Sequence, residues 1–341
     1  MIKTILASIL FVMTTVGVVY GIHKYLSYLQ RTDSLALYES QKPKAIVSRS
    51  KGKTVMLAKN VNFRFTPKIN LRINSLKAQV SSTTANTVLN FDDIHALHIH
   101  ILKGEALLHV DVMKYIFKDK IFNYEGSPLK LEDIVLLPSD DSGKSRVRLK
   151  GELKFVIWLK FEMLGELFLD KENGKIVIAA SEIKALYNPY TKGLLGLIGL
   201  NLEKLLPVPK GRGVRMQKNR IIVSPYSLFP PPKLSGKIES LRVKGDSLLL
   251  KFTSKTDVSL PAMPSPSAKN YLFVSYGDLK FGKLIMVDAA LQMVDNDPKD
   301  LFDFYLKDYH RVLTSGGSAI IQRNRSVLVQ MPDYDDVTVK K

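Results

Sequence analysis

From residue 54 onward, apolar and polar side chains alternate with a period of two. Val61, Phe63, Phe65, Ile69, Leu71 and Ile73 fall on one side, and Asn62, Arg64, Asn70, Arg72 and Asn74 on the other. Successive side chains of a strand point to opposite faces, so this pattern predicts two half-buried strands. Similar alternation predicts strands at 146–169, 174–180, 238–252 and 271–294, the third turning at Lys244-Gly245-Asp246. The run HALHIHILKGEALLHVDV at 95–112 predicts a hairpin with its turn at Lys103-Gly104, which sets His98 opposite His109 and gathers His98, His100 and His109 on one face.

A period near 3.6 is rarer. The segment KGLLGLIGLNLEKLLP predicts a helix with Leu194, Leu195, Ile198, Leu202, Leu205 and Leu206 on a wide apolar face, ended by Pro207. A second helix is predicted over 297–315, with Asp297 at the N-cap, Pro298 in the first position and Gly316-Gly317 beyond its end. A shorter one is predicted at 112–123. Pro230-Pro231-Pro232 interrupts the strand pattern; proline fixes φ and lacks an N–H, so the three predict a stiff corner at a sheet edge.

Composition changes the picture at the N-terminus and in the choice of ligand. Ile5 to Ile22 is uncharged, which as a helix roughly matches a hydrocarbon core of about 30 Å. An uncleaved membrane anchor at 1–30 is favoured over a cleaved signal peptide or a buried core helix, followed by a basic juxtamembrane linker at 31–53. Positive charge downstream of the span favours a cytoplasmic body by the positive-inside rule, but long domains translocate despite their charge, and export is preferred. The 50 Lys and Arg against 32 Asp and Glu give a net charge of +18, which predicts attraction to polyanions such as anionic lipid or an acidic polymer. With no cysteine in the chain, disulfides and thiolate chemistry are excluded.

Catalytic motifs are missing. The run GDLKFGKL has P-loop spacing but carries Leu284 where Ser or Thr must hold magnesium, and DNDPKD at 295–300 departs from a calcium loop at Asp300 and Leu306. The three histidines have either a zinc-holding or a solvated reading; without a fourth ligand no metal is expected. No cofactor and no enzymatic activity are expected. The basic stretch KGRGVRMQKNR, with Lys210, Arg212 and Arg215, reads as a mobile loop suited to phosphate oxygens, or as a solvated one; lacking aromatic side chains for base stacking, it does not predict nucleic-acid binding.

The unit from NRIIVSPYSLFPPP to GKIESLRVKGDSLLLKF, with Gly236, Ile238, Leu241, Val243, Gly245 and Asp246 in a G-x-hydrophobic hairpin pattern, resembles the bacterial LmeA-like phospholipid-binding family. That resemblance implies a tubular lipid-binding (TULIP-like) fold: α+β, a mostly antiparallel, highly twisted sheet wrapped around helices, here behind an N-terminal transmembrane helix. It also implies an apolar groove for acyl chains with a basic rim. The expected organisation is a lipid-binding domain at 54–255, a Pro/Ser linker at 256–270 and a strand-helix-strand extension at 271–341. The expected function is a single-pass protein of the bacterial inner membrane, its body in the periplasm, binding phospholipid or a related anionic lipid. Leu194, Leu195, Ile198 and Leu202 are expected at the acyl chain, and Lys210, Arg212 and Arg215 at the headgroup. Its partners are an anionic phospholipid membrane and an envelope protein. The alternative is a non-enzymatic envelope scaffold that binds an anionic polymer or a partner protein.

Overall fold

The computed structural model describes residues 53–139, 144–154, 157–185, 202–256 and 258–338. The expected span at 1–30, and with it Leu194, Leu195 and Ile198, lies outside these residues; among the described ones no helix is long and apolar enough to cross a membrane. In chain order the strands are β1 (Thr54–Thr66), β2 (Ile69–Ser82), β3 (Leu89–Asn90), β4 (Leu97–His109), β5 (Leu129–Leu137), β6 (Ser145–Lys154) and β7 (Trp158–Asp170). There follow β8 (Lys175–Ala185), β9 (Val214–Gln217), β10 (Arg220–Val223), β11 (Lys233–Gly236), β12 (Ile238–Lys244), β13 (Ser247–Phe252) and β14 (Tyr271–Ser275). The last six are β15 (Leu279–Phe281), β16 (Leu284–Met286), β17 (Ala290–Asp295), β18 (Phe302–Tyr305), β19 (Ser318–Ile321) and β20 (Val327–Met331). Helices are few and short: α1 (Val110–Tyr115), which continues as a π-helix through Ile121, α2 (Leu202–Leu205), α3 (Tyr309–Thr314) and α4 (Tyr334–Thr338).

The expected sheet-rich, mostly antiparallel architecture is present. An eleven-stranded sheet runs β12-β13-β4-β2-β1-β14-β17-β20-β19, with β11 added on β4 and β18 on β1. A six-stranded antiparallel sheet runs β5-β6-β7-β8-β10-β9, and β16-β15-β3 form a small third one. The predicted inward faces are buried: Phe63, Phe65, Ile69, Leu71 and Ile73 on the large sheet share one continuous core with Val112, Ile116 and Phe117 of α1 and its extension, and with Ile134, Leu149 and Met163 of the six-stranded sheet. Strands β14, β17, β18, β19 and β20, from the region expected as an extension, are hydrogen-bonded into the large sheet, and Ser265 in the Pro/Ser segment is paired to Gln292 on β17 through both its N–H and its carbonyl.

Two local expectations are corrected. Residues 97–109 form one unbroken strand, with no hairpin at Lys103-Gly104. Gly104 sits instead at φ 146, where the register of β2 against β4 shifts twice, and the buried face changes parity between Ile101 and Leu102. The glycine marks a bulge, because the β2 backbone passes too close for a side chain. The predicted helix over 297–315 is found only in its second half, as a 3-10 turn at Leu306–Asp308 followed by α3; Phe302–Tyr305 is strand β18 instead. β14 covers Val55 to Lys59 of β1 and leaves Val61 to Arg64 open, and β18 fills that edge in parallel. Ladder hydrogen bonds and the burial of Phe302 and Phe304 override the helical pattern.

A charged apolar-floored cleft at one end of the six-stranded sheet

The candidate site lies under one end of the six-stranded sheet, where alternation turns Leu129 and Leu131 of β5, Leu149 and Leu153 of β6, Phe161 and Met163 of β7, and Ile183 of β8 to a common face. Gly151 lets β5 lie tight against β6: a Cβ there would stand 3.2 Å from Leu131 Cα and closer still to the Lys130 carbonyl oxygen. Phe122, beyond α1, and Leu202, Leu205 and Leu206 close the face into a chamber whose lining is entirely apolar. Its free volume is about 20 Å³, room for roughly one water molecule. The α2 lid is pinned by polar contacts at its start. Leu202 N–H donates to Asn219 Oδ1 at 3.1 Å, and Lys218 N–H donates to Glu203 Oε2 at 2.8 Å.

A cleft of about 680 Å³ shares Phe122, Leu129 and Leu131 with the chamber and lies beside it at the β5 edge. Its walls carry Lys118, Lys130 and Lys154 among Asp119, Glu132 and Glu152, with Trp158 at the rim. Lys130 Nζ stands 4.1 Å from the centre of the indole and 3.8 Å from a Glu152 carboxylate oxygen. At the neighbouring turn of β5, Lys114 and Asp133 pair at 2.8 Å; the contact raises the ammonium pKa and lowers that of the carboxyl.

Of the residues expected at the site, Leu202 lines the chamber and is 4% exposed. The basic stretch is not a free loop but the β9–β10 hairpin, turning at Lys218 with φ 51. Lys210 is exposed ahead of it. Arg215 lies on the opposite face of β9 from buried Val214, so it points away from the chamber. Arg212 is engaged elsewhere: its Nη1 donates to the carbonyls of Lys120, Ile121 and Asn123 and its guanidinium lies 5.0 Å from the Tyr124 ring. A cation there satisfies the open carbonyls and opposes the negative end of the helix. Arg212→Ala is therefore expected to cost about 2 kcal/mol of unfolding free energy, whereas Arg215→Ala stays within about 0.5 kcal/mol; urea denaturation reads both.

The histidine trio is divided. His98 Nε2 and His100 Nδ1 meet at Ser235 Oγ, at 2.7 and 2.8 Å, while His109 caps α1 at the far end of β4. Burial, with Lys233 and His100 nearby, lowers the His98 pKa. Among the described residues, the group of acids close enough to share a cation is Asp295, Asp300 and Asp333, with oxygens within 4.8 Å of one another. Lys118, Lys130, Lys154 and Trp158 were not among the expected site residues. A signal for Lys154 and Trp158 was present in KFVIWLK, where the chain's one tryptophan stands between lysines; Lys118 and Lys130 carried none.

Fold and site define a class: a protein of two large β-sheets and one small one, with a narrow apolar chamber beside a charged cleft. Comparison with family models, curated proteins and solved structures gives no match.

Proposed function

We propose that the chain is a membrane-anchored cell-envelope protein that binds phospholipid or a related anionic lipid, the headgroup in the cleft and an acyl chain in the chamber. The observation that carries this reading is the adjacency of a purely apolar chamber and a lysine-bearing cleft, which share Phe122, Leu129 and Leu131. Lys118 and Lys154 take the phosphate, and the interspersed acids suit a headgroup amine. Since the chamber is nearly filled, the tail enters by displacing α2. Opening breaks hydrogen bonds worth about 1 kcal/mol each and uncovers Leu202, Leu205 and Leu206; an acyl chain that takes their place restores the apolar contact at about 0.8 kcal/mol per buried methylene. The finer fold is TULIP-like in the same reading, supported by α1 and its extension packing in the core shared by the two sheets.

Mass spectrometry of lipids extracted from the full chain, purified in detergent, tests this. About one phospholipid per chain is expected, and Lys118→Gln with Lys154→Gln is expected to reduce retention about thirtyfold, the loss of two interactions of roughly 1 kcal/mol each. Lipid no more abundant than on an unrelated single-span protein would end the proposal. The scaffold reading is supported by a separate groove of about 420 Å³ on the large sheet, where Lys59, Lys77, Lys103 and Lys251 outnumber Glu105 and Glu239, Lys251 being paired to Glu105 at 2.9 Å. Salt-sensitive retention on an anionic wall polymer, without bound lipid, would favour it.

A further inference from the structure

We infer that the exposed surface formed by Ile157, Trp158 and the lysines around them is a bilayer-docking element that sets the charged cleft against an anionic membrane surface. This deepens the lipid reading above. Adjacent large apolar side chains exposed beside cationic ones mark an interaction surface more often than isolated apolar residues do. Here Ile157 is 59% exposed and Trp158 37%.

The surroundings select the partner. Lys130 and Lys154 hold their ammonium groups 4.1 and 5.9 Å from the indole centre, and Lys160 is exposed two residues along β7. An amphipathic ring ringed by long cationic side chains fits the headgroup layer of a bilayer. The indole enters among glycerol and upper acyl carbons while the lysines extend to the phosphates. Lys130 has Glu152 at 3.8 Å, but a dry protein interface would have to supply acids for Lys154 and Lys160 or bury their ammonium groups at a high desolvation cost. The same Trp158, Lys130 and Lys154 line the cleft that borders the chamber. Docking here lets a lipid leave the bilayer and enter the cleft without crossing bulk water.

Trp158 is the chain's single tryptophan, so its emission reports the contact directly. The full chain is reconstituted into phosphatidylcholine vesicles with and without phosphatidylglycerol, and Trp158 is quenched with brominated-acyl lipid or with acrylamide. Expected are a blue-shifted emission, strong quenching by the brominated lipid and protection from acrylamide, all greater with phosphatidylglycerol and weakened by salt. Lys154→Gln with Lys160→Gln is expected to lower the docking constant about tenfold or more, and Ile157→Ser to lower it in both kinds of vesicle. Equal acrylamide access in both vesicle types with no quenching by brominated lipid overturns the inference, including the case in which a protein partner alone shields the indole. Extracted lipid is measured on the same samples. Docking without retained lipid refutes the lipid-binding reading alone, and retained lipid without docking refutes only this one.

Discussion

Gly104→Ala is expected to remove about 4 kcal/mol or more of unfolding free energy, enough to leave much of the chain unfolded at ambient temperature. A Cβ at this position would stand 2.7 Å from Leu76 Cα and closer to the Ser75 carbonyl oxygen, all backbone atoms of β2 that cannot turn aside. The φ of 146 adds a conformation that side chains other than glycine rarely adopt. Strands β2, β4 and β13 meet here, since Gly104 pairs with Leu76 on one side and Phe252 on the other. Gly126→Ala provides the control. Gly126 also has positive φ, at 76, but nothing lies within 4 Å of its added Cβ, so it is expected to cost only about 1 kcal/mol. Urea denaturation of the two variants separates contact from backbone strain. Equal losses would show that the close approach is not what fixes the glycine.

Asp333→Asn is expected to stabilise the protein at pH 8 by about 2–4 kcal/mol and to change it little near pH 4. Burial, together with the carboxylates of Asp295, Asp300 and Asp303, pushes the Asp333 carboxyl from 3.8 up to about 7, against the opposing hydrogen bond from the Asp303 N–H. A carboxyl held protonated by the fold contributes stability that is complete below its unfolded pKa of 3.8 and is lost as pH rises through about 7. Asparagine keeps an oxygen to accept the Asp303 N–H, now at 2.6 Å, and cannot ionise. Asp295, also raised by burial, leaves a smaller slope in the variant. Thermal or urea unfolding from pH 4 to 8 checks this; parallel stability curves for the two proteins would refute it.

The pattern of alternation was a good guide where burial is one-sided. Phe63, Ile73, Leu149 and Met163 are inward as their spacing implies, because a one-residue slip would expose a whole strand face. It misled at Gly104, where the same dipeptide chemistry serves a tight turn or a bulge, and in the first half of 297–315, where capping residues and a 3.6-like spacing lost to an open strand edge. The candidate site was legible only at Leu202. Arg212 carried the right charge for a headgroup but found three carbonyls at a helix end, a contact that needs residues 120–123 and 212 brought together.

What the sequence determined by itself is local: a chain of half-buried strands, a strong positive charge, no thiol chemistry, and the inward face of each element, all set by side chains within a few residues of one another. Which edges pair, where the bulge falls, and the joining of residues 118–131, 149–163 and 202–221 into one chamber and cleft were decided by the tertiary structure. Backbone groups left open on a strand or helix end must find partners wherever the fold brings them, and that search spans distances no local pattern records.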